Sequence, residues 1–175
     1  QMQFIGPPFT FGFKQLGSNC GAVGIHSAID VSGISFWMGN DSFFQFDGAV
    51  KKIACSVQDY VFDDINTNAL GDVFCASNTD FNEVIWFYPS KNSLQIDRHV
   101  TYNYAEKLWY VGTLARSSWA DRGVYSNPYA AEFDSDDTTA TISTINGVKE
   151  GRTFVYAHEE GVNNDGSAMD CHIES

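Results

Sequence analysis

Six carboxylates, Asp47, Asp59, Asp80, Glu83, Asp97 and Asp121, fall near the ends of strand-like segments. Two such groups on opposite sides of a sugar, roughly 5 to 9.5 Å apart, are what glycoside cleavage requires. The chain carries 22 Asp and Glu, however, so accidental pairs abound. Turns also select Asp because its side chain bonds nearby backbone N–H groups. The turn reading is preferred, and no catalytic residue is assigned. Asp134-Ser135-Asp136-Asp137 and Asn163-Asn164-Asp165-Gly166 offer oxygen ligands of the kind calcium takes. Neither has the spaced acidic loop closed by a Glu that would make such a site specific, so both read as solvated turns.

The four histidines, His26, His99, His158 and His172, are scattered along the chain. Nothing in their spacing recommends a metal, and each reads as structural or superficial. Cys20, Cys55, Cys75 and Cys171 form no C-x-x-C pair, which argues against a zinc ribbon or a dithiol redox centre. Cys55 and Cys75 stand in apolar, strand-like contexts and are expected to be small buried thiols. Phosphate loops, nucleophile elbows and H-E-x-x-H helices are absent from the sequence. No metal and no cofactor is expected.

The elements that would position these residues are read from composition and pattern. The 175 residues carry 10 Lys and Arg against 22 Asp and Glu, a formal net charge of −12. Aromatics make up 15 %, with 14 Phe, 8 Tyr and 4 Trp. Disordered chains are poor in aromatics, and nucleic-acid-binding domains cluster Lys and Arg, so both classes are disfavoured. No window approaches the 18 or so apolar residues of a membrane helix, and no membrane segment is expected. Gln1 to Phe13 lacks the basic start and apolar core of a secretory leader.

Strand signals dominate. Ile34-Ser35-Phe36-Trp37-Met38 ends at the turn cluster Gly39-Asn40-Asp41, and Phe43-Phe44-Gln45-Phe46 ends at Asp47-Gly48, a strong hairpin signal. Ala49 to Ile53 completes an antiparallel meander. A second set runs through Asp72–Ser77, Glu83–Tyr88, His99–Tyr104 and Leu108–Gly112. Val100, Tyr102 and Tyr104 alternate with polar residues, the period of a half-buried strand. The two sets are alike: Trp37 precedes Phe44-x-Phe46 as Trp86 precedes Tyr102-x-Tyr104. Sets are placed near residues 28–55 and 72–114, with a third near 150–175 beginning at Thr153-Phe154-Val155-Tyr156. Self-similarity at about 50 residues is the mark of propeller blades.

One helix is expected over Ser56 to Ile65, with Val57, Val61 and Ile65 on one face and Ser56 as its cap. Arg116 to Tyr129 reads as irregular, and Asp134 to Thr141 as an exposed loop or hairpin tip. The fold class is therefore all-β: antiparallel four-stranded blades of a β-propeller, an incomplete set, with one short connecting helix.

Several of these segments together resemble a known family. They are Trp37-Met38-Gly39-Asn40, Phe43-Phe44-Gln45-Phe46-Asp47-Gly48 and Asp59-Tyr60-Val61-Phe62-Asp63-Asp64-Ile65-Asn66. Phe81-Asn82-Glu83-Val84-Ile85-Trp86-Phe87-Tyr88-Pro89 and Tyr102-Asn103-Tyr104 with Lys107 and Trp109 complete them. The stretch from Phe36 to about Tyr129 resembles the tail hub or nozzle proteins of short-tailed bacteriophages, also called packaged-DNA stabilisation proteins. The resemblance implies a propeller platform in the virion tail, assembled in the host cytoplasm. It implies self-association in a six-fold ring, with tail adaptor and fibre or needle proteins as neighbours and packaged DNA in transit. It carries no catalytic residues to transfer.

An acidic ring suits that role, because like charge lowers the affinity for phosphate. The alternative is a propeller or sandwich that binds or cleaves carbohydrate. The two differ in where Trp37, Trp86 and Trp109 lie. Burial between sheets favours the tail protein, whereas exposure in a groove beside paired carboxylates favours the sugar. Propellers need at least four blades of about 40 to 50 residues. With Gln1 in first place and two clear sets, the chain is expected to be part of a larger tail protein.

Overall fold

A computed structural model describes residues 1–134, 152–161, 163–164 and 167–168. The chain opens with a hairpin of β1 (Met2–Phe4) and β2 (Phe11–Phe13). The first large sheet follows, built from β3 (Ala28–Val31), β4 (Ile34–Met38), β5 (Phe43–Phe46) and β6 (Val50–Ile53), paired antiparallel in chain order. The expected meander thus gains a strand on its N-terminal side. Ser32 and Gly33 join β3 to β4 with φ of 54° and 81°, the left-handed pair of a two-residue hairpin that a glycine relieves. Gly39 begins the next turn because a Cβ there would lie 2.7 Å from the Phe44 ring and 3.1 Å from the Gly21 carbonyl oxygen. Asp47 at the third turn pairs with Lys51 at 2.6 Å.

The helix α1 (Gln58–Asp64) connects the first two sheets. Val61 and Ile65 are buried and Val57 packs beside them, as their spacing predicts. Ser56 is not the cap. The helix starts one residue later, with Val57 at the N-cap position and no side-chain cap bond. Packing Val57 against the core sets the start in place of a hydroxyl.

The second sheet holds β7 (Phe74–Asn78), β8 (Glu83–Tyr88), β9 (Arg98–Asn103) and β10 (Leu108–Thr113), again antiparallel neighbours in chain order. β8 is buried from Val84 to Tyr88, because both faces of this sheet are covered. Val84, Trp86 and Tyr88 join Phe36, Met38 and Phe43 of the first sheet in one core. Ile85 and Phe87 form a second core with Ala76 and Trp119. A continuous apolar run, in place of alternation, is what two-sided burial demands.

The third sheet differs from the expectation. It comprises β11 (Ser118–Ala120), β12 (Tyr129–Asp134) and β13 (Arg152–Ala157), in the order β11-β12-β13. β11 lies inside the stretch read as irregular, and β12 begins at its end. Three residues around Trp119 are too few to show a period, and the pairing of β12 with β13 joins residues far apart in sequence. The strand expected from Thr153 is present as β13. A two-residue pair, β14 (Asn163–Asn164) with β15 (Ser167–Ala168), follows. Of the acidic run from Asp134 to Thr141, everything after Asp134 lies outside the described residues, as does Cys171.

First strands neighbour one another. β7 contacts both β3 and β11, and a parallel bridge joins His26 to Phe74 ahead of β3. The architecture is mostly β, with antiparallel sheets of three and four strands stacked face to face. No helix among the described residues is long and apolar enough to cross a membrane.

Candidate functional site

The four tryptophans mark the junctions between successive parts of the chain. Trp37 on β4 donates its indole N–H to the Cys20 carbonyl at 2.7 Å. Trp86 on β8 reaches Ser27 at 3.0 Å, Trp109 on β10 reaches Ala54 at 2.8 Å, and Trp119 on β11 reaches Ser77 at 2.8 Å. Every one of these bonds runs backward, from a sheet to the sheet or segment that precedes it. An indole N–H withdrawn from water without a partner costs free energy, so each bond fixes how a sheet seats on the part of the chain before it. Phe43 sits at the centre of the first junction, with ring centroids 4.8 Å from Trp86, 4.6 Å from Trp109 and 5.4 Å from Phe62.

The likeness between the first two sheets holds at the level of strands. Trp37 and Trp86 both lie on second strands, and the aromatic pairs belong to third strands or the turn after them. Register separates them: Trp37 faces Phe44, whereas Trp86 faces Val100 and Tyr102 faces Val84.

Most of the carboxylates singled out from sequence are committed to structural contacts, some within one turn and some between sheets. Asp47 holds Lys51 across one turn. Asp97 accepts the Ser90 N–H and hydroxyl, each at 2.7 Å. Asp80 pairs with Arg122. Asp121 accepts the Ser77 hydroxyl at 2.9 Å and the Thr79 N–H at 3.1 Å, tying the start of the third sheet to the second. Asp59 is exposed in the first turn of α1, where a carboxylate suits the helix dipole.

Glu83 is the exception. Its Oε1 accepts the Tyr110 hydroxyl, and the Asn78 amide bridges its Oε2 at 3.4 Å to Glu159 Oε1 at 3.3 Å. Burial first, and the Glu159 charge second, push the Glu83 pKa up. Asn78, Phe81, Glu83, Tyr110, Trp119 and Glu159 help to line a cleft of about 340 Å³ between the second and third sheets. Sequence reasoning named Glu83 but not Asn78, Tyr110 or Glu159. Glu159 follows the third sheet in a left-handed turn at φ 58°, and no local pattern links it to β8.

Histidines line the same region as neutral bases. Burial lowers the His99 pKa to about 4, and its Nδ1 lies 3.1 Å from the Thr101 hydroxyl. His158 is lowered to about 4 by burial and by Arg116, whose Nε donates to its Nε2 at 3.1 Å. Arg116 is itself buried, 2.9 Å from Glu132 and 4.2 Å from the centre of the Tyr156 ring. His26 is exposed and contributes its backbone, and His172 lies outside the described residues.

Cys20, Cys55 and Cys75 are free thiols. Burial pushes Cys55 up to about 11 and Cys75 well above its usual value, so neither carries thiolate at neutral pH. No group of three or more His, Cys, Asp or Glu among the described residues is close enough to hold a metal ion. The geometry thus offers two features: a set of tryptophan-locked junctions, and a cleft with one carboxylate pair. No protein-family model matches the chain, and no curated protein matches it.

Proposed function

We propose that the chain is a segment of a phage tail nozzle or hub, a virion structural protein that forms part of the DNA exit channel, retains packaged DNA and lets it leave. On this reading the stacked sheets are blades of a propeller, their first strands toward its axis. The observation that carries the reading is the placement of the tryptophans. Trp86 is fully buried, and Trp37 and Trp109 are half-buried with their indole N–H groups spent on backbone carbonyls. None of these three lines the cleft that holds the Glu83–Glu159 pair. Aromatic area of this kind supports assembly of sheets in preference to display on an open groove. The net charge of −12 supports passage of DNA without capture. Electron microscopy of native particles with a probe against this chain tests it. Label in a ring at the tail is expected, and label elsewhere, or on no particle, refutes it.

The second reading, a carbohydrate site, is favoured by one observation. Glu83 and Glu159 share the Asn78 amide in a cleft that also holds Trp119 and Tyr110. It predicts glycan binding or cleavage that Glu83→Gln abolishes, and such a result would displace the tail reading.

A further inference from the structure

The N-terminal hairpin carries an apolar face that no element covers among the described residues. Its register sets Met2 opposite Phe13 and Phe4 opposite Phe11, which puts all four side chains on one side of the ribbon. They are 61, 81, 67 and 48 % exposed, in that order. At about 150 to 250 Å² per large side chain, this leaves on the order of 500 Å² of apolar surface in water. That is as large as the largest patch on a typical monomer. A lone two-stranded hairpin is also marginal in water.

A second such face lies on the third sheet, the last of the stack. In the third sheet Trp119, Ala130 and Tyr156 share the side toward the second sheet. Tyr129, Ala131, Phe133 and Val155 therefore occupy the opposite side. Val155 is 70 % exposed, and Tyr125 leans edge-on against Tyr129 at 5.2 Å with 62 % of its surface open.

Polarity and charge say what joins these faces. Each tryptophan bond runs from a sheet to the part of the chain before it, so the stack of sheets has a direction that ends in the third sheet, and the hairpin precedes that stack in the chain. All 22 carboxylates lie from Asp30 onward, with nine of the ten Lys and Arg. The segment before Asp30 carries Lys14 and no acid. It is the part of the molecule that approaches another copy of this acidic chain without like-charge repulsion.

We propose that the hairpin of one copy packs its Met2, Phe4, Phe11 and Phe13 face on the outer face of the third sheet of the next copy. The proposal deepens, and rests on, the ring reading above. Such a junction is head-to-tail, and repetition closes a ring where the rotation permits. The two patches together bury about 1,000 Å², the lower bound of a specific interface.

Sedimentation velocity on the full chain, over a hundredfold range of concentration, tests the junction. The unaltered chain is expected to assemble beyond a dimer. Phe11→Asp with Phe13→Asp on the hairpin, and Val155→Asp on the receiving face, are each expected to weaken self-association on the order of thirtyfold or more. An equal mixture of the two variants is expected to stop at dimers, because only one intact junction remains. Should Val155→Asp lower the thermal midpoint, Tyr125→Asp reads the same face from a loop. Assembly of the unaltered chain with either face's variant unaffected, or a mixture that stays monomeric, overturns the junction and leaves the ring reading standing. An unaltered chain that is monomeric throughout overturns both.

Discussion

Replacing Phe43 by alanine probes the packing of the first sheet on the second. Its ring is fully buried between Trp86, Trp109 and Phe62. Burying about 200 Å² at about 25 cal/mol per Å² stabilises by about 5 kcal/mol as an upper bound. A compact unfolded state lowers that to about 3 kcal/mol, and the unfilled cavity restores part of it. Phe-to-Ala changes in cores cost about 3 to 5 kcal/mol, so about 4 kcal/mol is expected here. For a chain of this size the thermal midpoint then falls by about 8 to 16 °C. Denaturant titration followed by tryptophan fluorescence and far-ultraviolet circular dichroism measures it. The two probes should give one coincident transition at lower denaturant with unchanged slope, because one core spans both sheets. Phe43→Leu should recover about half of the loss. Val124→Ala, at a position 99 % exposed, should stay within about 0.5 kcal/mol. A loss below about 1 kcal/mol for Phe43→Ala, or separate transitions for the two probes, refutes the packing described.

Other groups give independent tests. His99 and His158 titrate in the folded state at about 4, against an ordinary value of 6.5, so the unfolded chain binds more protons between those values. Stability should be fully present above pH 6.5 and fall as pH drops toward 4, by up to about 1.4 kcal/mol per pH unit for His99 and by less for the more solvent-screened His158. His99→Asn should remove one ring's share of that slope. Glu83 has the opposite sign: its raised pKa means the folded chain holds a proton that the unfolded chain has released. Its contribution to stability therefore decreases as pH rises from 4.5 through the folded value. Glu83→Gln should flatten that component and stabilise the chain at neutral pH, measured by the same titrations. Arg116→Met leaves Glu132 and His158 without their cation. It should cost about 3 kcal/mol and raise the His158 pKa in an NMR titration, and a His158 that titrates unchanged would refute the contact.

The sequence carried a large part of this architecture because many of its signals are local. Alternation and turn residues placed β4, β5, β6 and the second sheet. The i, i+4, i+8 valines and isoleucine placed α1, although not its first residue. The run from Glu83 to Tyr88 was legible as a strand, but its burial on both faces appears only once the sheets stack. The carboxylates near strand ends were legible as turn chemistry, and Asp97 behaves that way within its own loop, whereas Asp121 reaches across to Ser77 and Thr79 of the second sheet.

Other features came only from the tertiary structure. β11 is three residues long and pairs with β12, which in turn pairs with β13 across a long separation. Nothing nearby in sequence states those partners. The Glu83–Glu159 pair joins β8 to a turn 76 positions further on through the Asn78 amide. Its raised pKa follows from burial, which pattern does not encode. The tryptophans were conspicuous from the start, but the carbonyls that accept from them were not. A side chain's type and period declare that it will be buried. Which backbone oxygen it meets is decided when the sheets stack, because that contact depends on the register and twist of strands distant in the chain.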